Sequence, residues 1–319
     1  DRRSKALNKG RGHLVWLLCL GALVLAFVGG QVSPVTYLMV GVLAPLPVLL
    51  VGRRCGTMAA LGLALAAALT IFSLRPSLET ITAHLGFGQL LLLGVLLSWL
   101  QRRLYPPKAI ILAVVVINLV TLLYVTGEAL YLGVTLPALL AQKSREVMDI
   151  FQKFVEGAGS SSEGLALPGV TLEEVRRLLQ FMLPGLVVVN SATVAWINVV
   201  MARRLAPALG WGEPEQPMYY WAVPEWLIFI ALAAGFLLLM PAKAVRLLSL
   251  NLLMVLALVY FFQGVAVLSA WFHRFNLPRF VRAVGYPLMF FHPLVFLVII
   301  LGLLDLWFDF RRLHQPKQA

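Results

Sequence analysis

The chain has 319 residues, 61% of them hydrophobic and 13% charged, with a mean hydropathy of +0.88. That composition excludes an ordinary soluble domain and a disordered chain, and makes lipid the main solvent. The net charge of +12 would point a soluble protein toward nucleic acid, but here the basic residues sit at the ends of apolar stretches, as anionic headgroups select.

Arg2, Arg3, Lys5, Lys9 and Arg11 open the chain, and Arg53-Arg54, Arg102-Arg103, Arg203-Arg204 and Arg311-Arg312 follow at the ends of later stretches. No basic segment is interleaved with exposed aromatics, so nucleic acid is not an expected partner; the bilayer is. Cys19 and Cys55 are too few for a disulfide framework or a thiolate metal site.

A helix needs about 20 apolar residues to cross the hydrocarbon core. The stretches 13–30, 34–51, 57–74, 84–100, 109–125, 178–201, 225–241, 246–272 and 286–307 meet or approach that length. They define an all-α, polytopic transmembrane bundle of eight or nine membrane segments, in one integral membrane domain spanning 1–319. The first stretch, with its basic flank, is read as a retained helix rather than a cleaved signal peptide, and a few residues are expected before Asp1. With the N-terminus cytoplasmic, alternating spans place Arg53-Arg54, Arg102-Arg103 and Arg203-Arg204 inside. Nine full crossings would put Arg311, Arg312 and Lys317 outside. Either one late segment is re-entrant, or the terminus breaks the charge rule.

The second stretch carries Pro45 and Pro47 and is expected to be broken, which a membrane tolerates only where protein or a water cavity satisfies the freed carbonyls. In the third, Ala60, Ala64 and Ala68 recur every four residues, with Gly62 and Ala66 on the adjacent row. Such a face lets another helix approach closely, either inside the bundle or from a partner membrane subunit. The run 128–141, interrupted by Pro137, reads as a continuation of the fifth stretch or a re-entrant piece. From Ser144 to Glu156, Val147, Met148, Phe151, Phe154 and Val155 share one face, which describes an amphipathic surface helix. Gly157 to Gly164 reads as a flexible linker, and Thr171 with Glu174 as a capping box, so 142–177 forms the single extracytoplasmic excursion.

Polar groups inside membrane segments are costly and therefore candidates for function. They are Asn118 and Glu128; Asn190, with Ser191, Thr193 and Asn198; Asn251, Tyr260 and Gln263; and Asp305 with Asp309. Each either ties helices together or lines a solute pathway. Asp309 is close enough to Arg311 or Arg312 for an interfacial ion pair. His84, His273 and His292 share no metal spacing, and no cofactor is expected. Ser160 to Ser162 have no positioned base, and neither a phosphate-binding loop nor a triad occurs, so the chain is not expected to be an enzyme or to carry its own ATPase.

Tyr260-Phe-Phe-Gln263-Gly264-Val-Ala266-Val-Leu-Ser269, the closing Gly302-Leu-Leu-Asp305-Leu-Trp307-Phe308-Asp309-Phe310-Arg311, and the loop Tyr220-Trp-Ala-Val-Pro224-Glu-Trp226 together resemble the YybS-like family of bacterial membrane proteins, whose function is unknown. Such families are distantly similar to the substrate-binding S components of energy-coupling-factor transporters. Ala44-Pro45-Leu-Pro47 through Arg53-Arg54-Cys-Gly56 looks like their early helices. The resemblance implies a multi-pass protein of the bacterial inner membrane that captures or translocates a small solute, with other membrane subunits as partners. Asn118, Glu128, Asn190, Tyr260, Gln263 and Asp305 are the expected solute-binding set, and Ala60, Ala64 and Ala68 the expected docking face. The competing reading is a non-transporting scaffold or assembly subunit.

Overall fold

Proline and glycine set most of the helix boundaries in this apolar chain. The computed structural model describes residues 2–30, 34–74, 81–157, 172–211, 218–291 and 293–311. Among these, every regular element is helical: α1 (Arg2–Gly30), α2 (Pro34–Leu43), α3 (Pro45–Cys55), α4 (Thr57–Leu74), α5 (Ile81–Leu100), α6 (Pro106–Leu132), α7 (Leu136–Gly157), α8 (Leu172–Ala208), a 3-10 turn (Met218–Tyr220), α9 (Leu227–Leu238), α10 (Lys243–Arg274), α11 (Arg279–Leu288) and α12 (Leu294–Phe308). Five helices are long and apolar enough to cross a membrane, within α1, α4, α6, α8 and α10. Gly86–Leu100, Leu227–Leu238 and Leu294–Phe308 are shorter apolar helices. The expected all-α membrane bundle is therefore what the chain forms.

The chain folds as two compact units, Asp1–Gln180 with Asn190–Pro214, and Phe181–Val189 with Glu215–Ala319. In the first unit the core is made by Leu23 and Phe27 of α1, Val48 and Val51 of α3, Ala60, Leu63, Ala64, Ala67 and Ile71 of α4, and Phe87 and Leu91 of α5. Phe27 and Phe87 meet edge to face at 5.3 Å, a geometry that adds to simple area burial. Ala60 and Ala64 thus spend their small size on packing inside this unit, whereas Ala68 is exposed.

The expected break in the second stretch is realised between α2 and α3. Pro45 has no N–H to give Gly41, whose carbonyl takes the N–H of Ala44 instead at 3.1 Å. The neighbouring carbonyl of Val42 accepts a bond from Asn198 Nδ2 at 2.7 Å. The break is therefore closed by protein, as lipid demands. At the other end of α3, Arg102 Nη2 donates to the Gly52 carbonyl at 2.6 Å, and Gly56 at φ +103° turns the chain into α4.

The sequence reading of 128–141 needs correction. α6 runs on through 128–132 and ends at Gly133 in the left-handed conformation (φ 66°), so only the first part of the segment continues it and the rest opens α7. Pro137 lies in the first turn of α7, where its missing N–H costs nothing. The start of α8 at Leu172, well before its apolar part, agrees with the expected helix entry. The linker at 158–164, Thr171, and the side chains of Val147, Met148, Phe151, Phe154 and Val155 lie outside the described residues.

In the second unit α9 and α10 form an antiparallel hairpin. Tyr219, just before it, packs against His273 with the rings tilted and their centroids 5.1 Å apart, while the Val223 N–H donates to Gln263 at 3.0 Å. The last apolar stretch is not one span from 286. Pro287 and Pro293 break it, leaving α11 and α12 as separate helices. α11 runs back along α10, with Tyr286 against Ser269 and Phe272, and beyond it Phe290 lies against Phe261. α12 then runs parallel to α10, because Gly302 meets Tyr260, Asp305 meets Gln263 and Phe310 meets Trp271. The chain dips beside α10 and returns the way it came.

Candidate functional site

The closest helix crossing in the second unit depends on two glycines. A Cβ on Gly264 would strike the backbone oxygen of Val298, and one on Gly302 would strike the backbone oxygen of Tyr260 and lie 2.6 Å from Gly264 N. Only hydrogen fits there, and the resulting backbone contact is the small-residue packing that replaces hydrophobic drive in lipid. Gln263 and Asp305 stand beside this crossing.

Gln263 is 1% exposed and Asp305 6%. Gln263 Nε2 donates to Asp305 Oδ2 at 3.1 Å, and Gln263 Oε1 accepts the Val223 N–H at 3.0 Å. The same carboxylate oxygen takes Nε and Nη2 of Arg311 at 3.0 and 2.5 Å. The third nitrogen, Nη1, donates to the carbonyls of Tyr219 and Trp221 at 2.8 and 2.6 Å. One guanidinium thus binds a helix carboxylate and two free loop carbonyls, using its planar fork of donors. Burial and its neighbour Tyr220 raise the pKa of the Tyr219 phenol, which stays neutral beside this cluster. Asp305 Oδ1 and, on α10, Tyr260 Oη are buried and meet no hydrogen-bond partner among the described residues.

Arg311 is the member the sequence reading missed. Asp305 and Arg311 are six residues apart, off the three- or four-residue spacing by which helical ion pairs are recognised. Asp309 caps α12 at φ 37°, a left-handed conformation that reverses the chain and sends Arg311 back along the helix. Of the two partners expected for Asp309, Arg311 binds Asp305 instead. Arg312 lies outside the described residues.

Asn251 has a different task. Its Nδ2 donates to Phe181 O at 2.9 Å and its Oδ1 accepts from Gly185 N at 2.5 Å. Those are the two groups of one α8 ladder position, so the amide is inserted into the helix beside Pro184.

The remaining expected residues belong to the first unit. Asn118 Nδ2 bonds to Val114 O at 2.7 Å and to Ser191 Oγ at 2.8 Å, tying α6 to α8. Glu128 pairs with Lys143 of α7 at 2.9 Å. Burial lowers the lysine pKa, but the hydrogen bond and charge of Glu128 outweigh it, so Lys143 titrates above its ordinary value. Asn190 is exposed. Of the six expected solute-binding residues, Gln263 and Asp305 are in direct contact, and Tyr260 lies one turn away on α10. No group of three His, Cys, Asp or Glu side chains placed to hold a metal occurs among the described residues.

Long apolar helices, a break sealed by a side chain and a buried ion pair at a glycine crossing define a polytopic α-helical integral membrane protein. The family described as "Predicted membrane protein (DUF2232)" matches residues 21–306, and the chain belongs to it. It is similar to "Uncharacterized protein YybS" of Bacillus subtilis (strain 168), 22% identical over 223 residues, which is 68% of this chain and 72% of that one. No solved structure matches.

Proposed function

We propose that this protein binds or translocates a small solute in the inner membrane of a bacterium, with its N-terminus cytoplasmic and without an ATPase or other enzymatic activity of its own. The observation that carries the reading is the buried Asp305–Arg311 pair, whose second carboxylate oxygen meets no hydrogen-bond partner among the described residues. An ionisable pair inside a membrane bundle is expensive and marks a solute or ion pathway by default. The broken α11–α12 segment supports it, since interrupted helices at membrane depth line substrate sites in transporters. The resemblance to S components adds a partner, a membrane-embedded energy-coupling complex.

A second reading, an assembly subunit whose polar residues only hold helices together, draws on the two satisfied ends of the Gln263 amide. Purification in native lipid followed by mass spectrometry of bound small molecules separates the two. Solute binding requires a molecule that leaves when Asp305 and Arg311 are jointly neutralised, as Asp305→Asn with Arg311→Gln, while the protein stays folded. If the folded double variant and the parent carry the same complement of molecules, the solute reading fails.

A further inference from the structure

The direction of α12 settles the conflict that nine full crossings create with the charge rule. α10 and α12 are parallel, so the end of α12 emerges on the face where α10 ends, and the return is made by α11 and residues 289–293. Phe290 lies at the level of Phe261, and Gly302 meets Tyr260 on the way back, so the chain descends along α10 as α11 and residues 289–293 and returns as α12. At 1.5 Å per residue, α11 and α12 are about 15 and 22 Å long.

The side follows from charge within the second unit. Tyr219 packs against His273, so the loop before α9 lies at the end of α10. The ends of α10 and α12 share that face. It gathers Arg274, Arg279, Arg282 and Arg311, whereas Lys243 and Arg246 lie at the opposite end of α10. Trp221, Trp271 and Trp307 fall at the same level, as interfacial aromatics do.

We infer that residues 279–311 form a helix pair that enters and leaves the bilayer from the cytoplasmic face, adding no net crossing and placing both Arg274 and the C-terminus in the cytoplasm. The Arg311 clasp over Asp305 then lies at a cytoplasmic mouth. If the protein binds a solute, which is the proposal above, the solute meets Asp305 from that side.

The test does not depend on any solute. In a chain carrying Cys19→Ser and Cys55→Ser, single cysteines are introduced as Met240→Cys and Arg274→Cys, both at exposed positions, and challenged in intact cells with a membrane-impermeant maleimide. Met240→Cys should label at once, and Arg274→Cys only after permeabilisation. A fluorescent protein fused after Ala319 of the unsubstituted chain should be fluorescent and shielded from external protease. A C-terminus on the side opposite to position 274 would establish a full crossing and overturn the inference. So would finding both positions outside the cell. The fusion result stands even where a cysteine variant fails to fold.

Discussion

Asp305 carries two partners, and removing it strands one of them. Breaking a buried pair by deleting a single charge costs about 3–5 kcal/mol, because the other charge remains desolvated. Asp305→Asn is therefore expected to lower the melting temperature in detergent markedly, and Asp305→Asn with Arg311→Gln to recover most of the loss. From the sequence alone, a stable Asp305→Asn variant would have been the mark of a binding site. With Arg311 in place, only the double variant can report on binding without reporting on folding. Lys143 gives a test by pH. Its folded pKa lies above the ordinary 10.5, so its contribution is fully present below that value and is lost as pH rises through the folded pKa. The stability difference between the parent and Lys143→Gln should be constant through neutral pH and vanish in strong alkali.

Among elements, the α10–α12 crossing and the α2–α3 break make the strongest demands. Gly302→Ala places a methyl group into the backbone of Tyr260, and the expected loss is at or above the 1–3 kcal/mol usual for overpacking. Gly62→Ala, where nothing lies within 4 Å, should be neutral or stabilise by about 0.5–1 kcal/mol. Melting curves of the two variants in one detergent make the comparison, and equal curves would show that the crossing is loose. Asn198→Leu leaves the Val42 carbonyl without its side-chain donor, at a cost of about 1–3 kcal/mol. The break at Pro45 was legible in the sequence, since proline acts through its own ring and missing N–H. Its seal was not, because Asn198 lies 156 residues away and no local pattern encodes that meeting. The last stretch was misread as one span for a related reason: apolarity continues through Pro287 and Pro293, and composition alone does not say that a chain turns back.

For the molecule as a whole, class was written in composition, and the side we propose was read from charge. Both are bulk properties that need no contact to be known. Gln263 and Asp305 were also legible, because a polar residue in an apolar run announces its cost. What sequence could not supply was their conjunction with Arg311 and with the carbonyls of Tyr219 and Trp221, which depends on a reversal at Asp309 and on the parallel return of α12. In the proposed orientation Cys55, exposed beside Arg54, faces the cytoplasm. An impermeant thiol reagent should leave it unmodified in intact cells, and prompt labelling would invert the orientation of the first unit.

Asp305 stands in the final turn of α12, where the helix macrodipole is negative and a carboxylate is disfavoured by about 0.3–1 kcal/mol. The parallel α10 brings a second negative end to the same face. Judged by these fields, the polarity of the ion pair is backwards, and a cation at 305 facing an anion at 311 would be preferred. The carbonyls of Tyr219 and Trp221 explain the choice, because they require donors from position 311 and a carboxylate has none to give. The sign of each charge is thus set by a loop some 90 residues earlier in the chain, and exchanging Asp305 and Arg311 would restore the attraction between them while leaving that loop without its anchor.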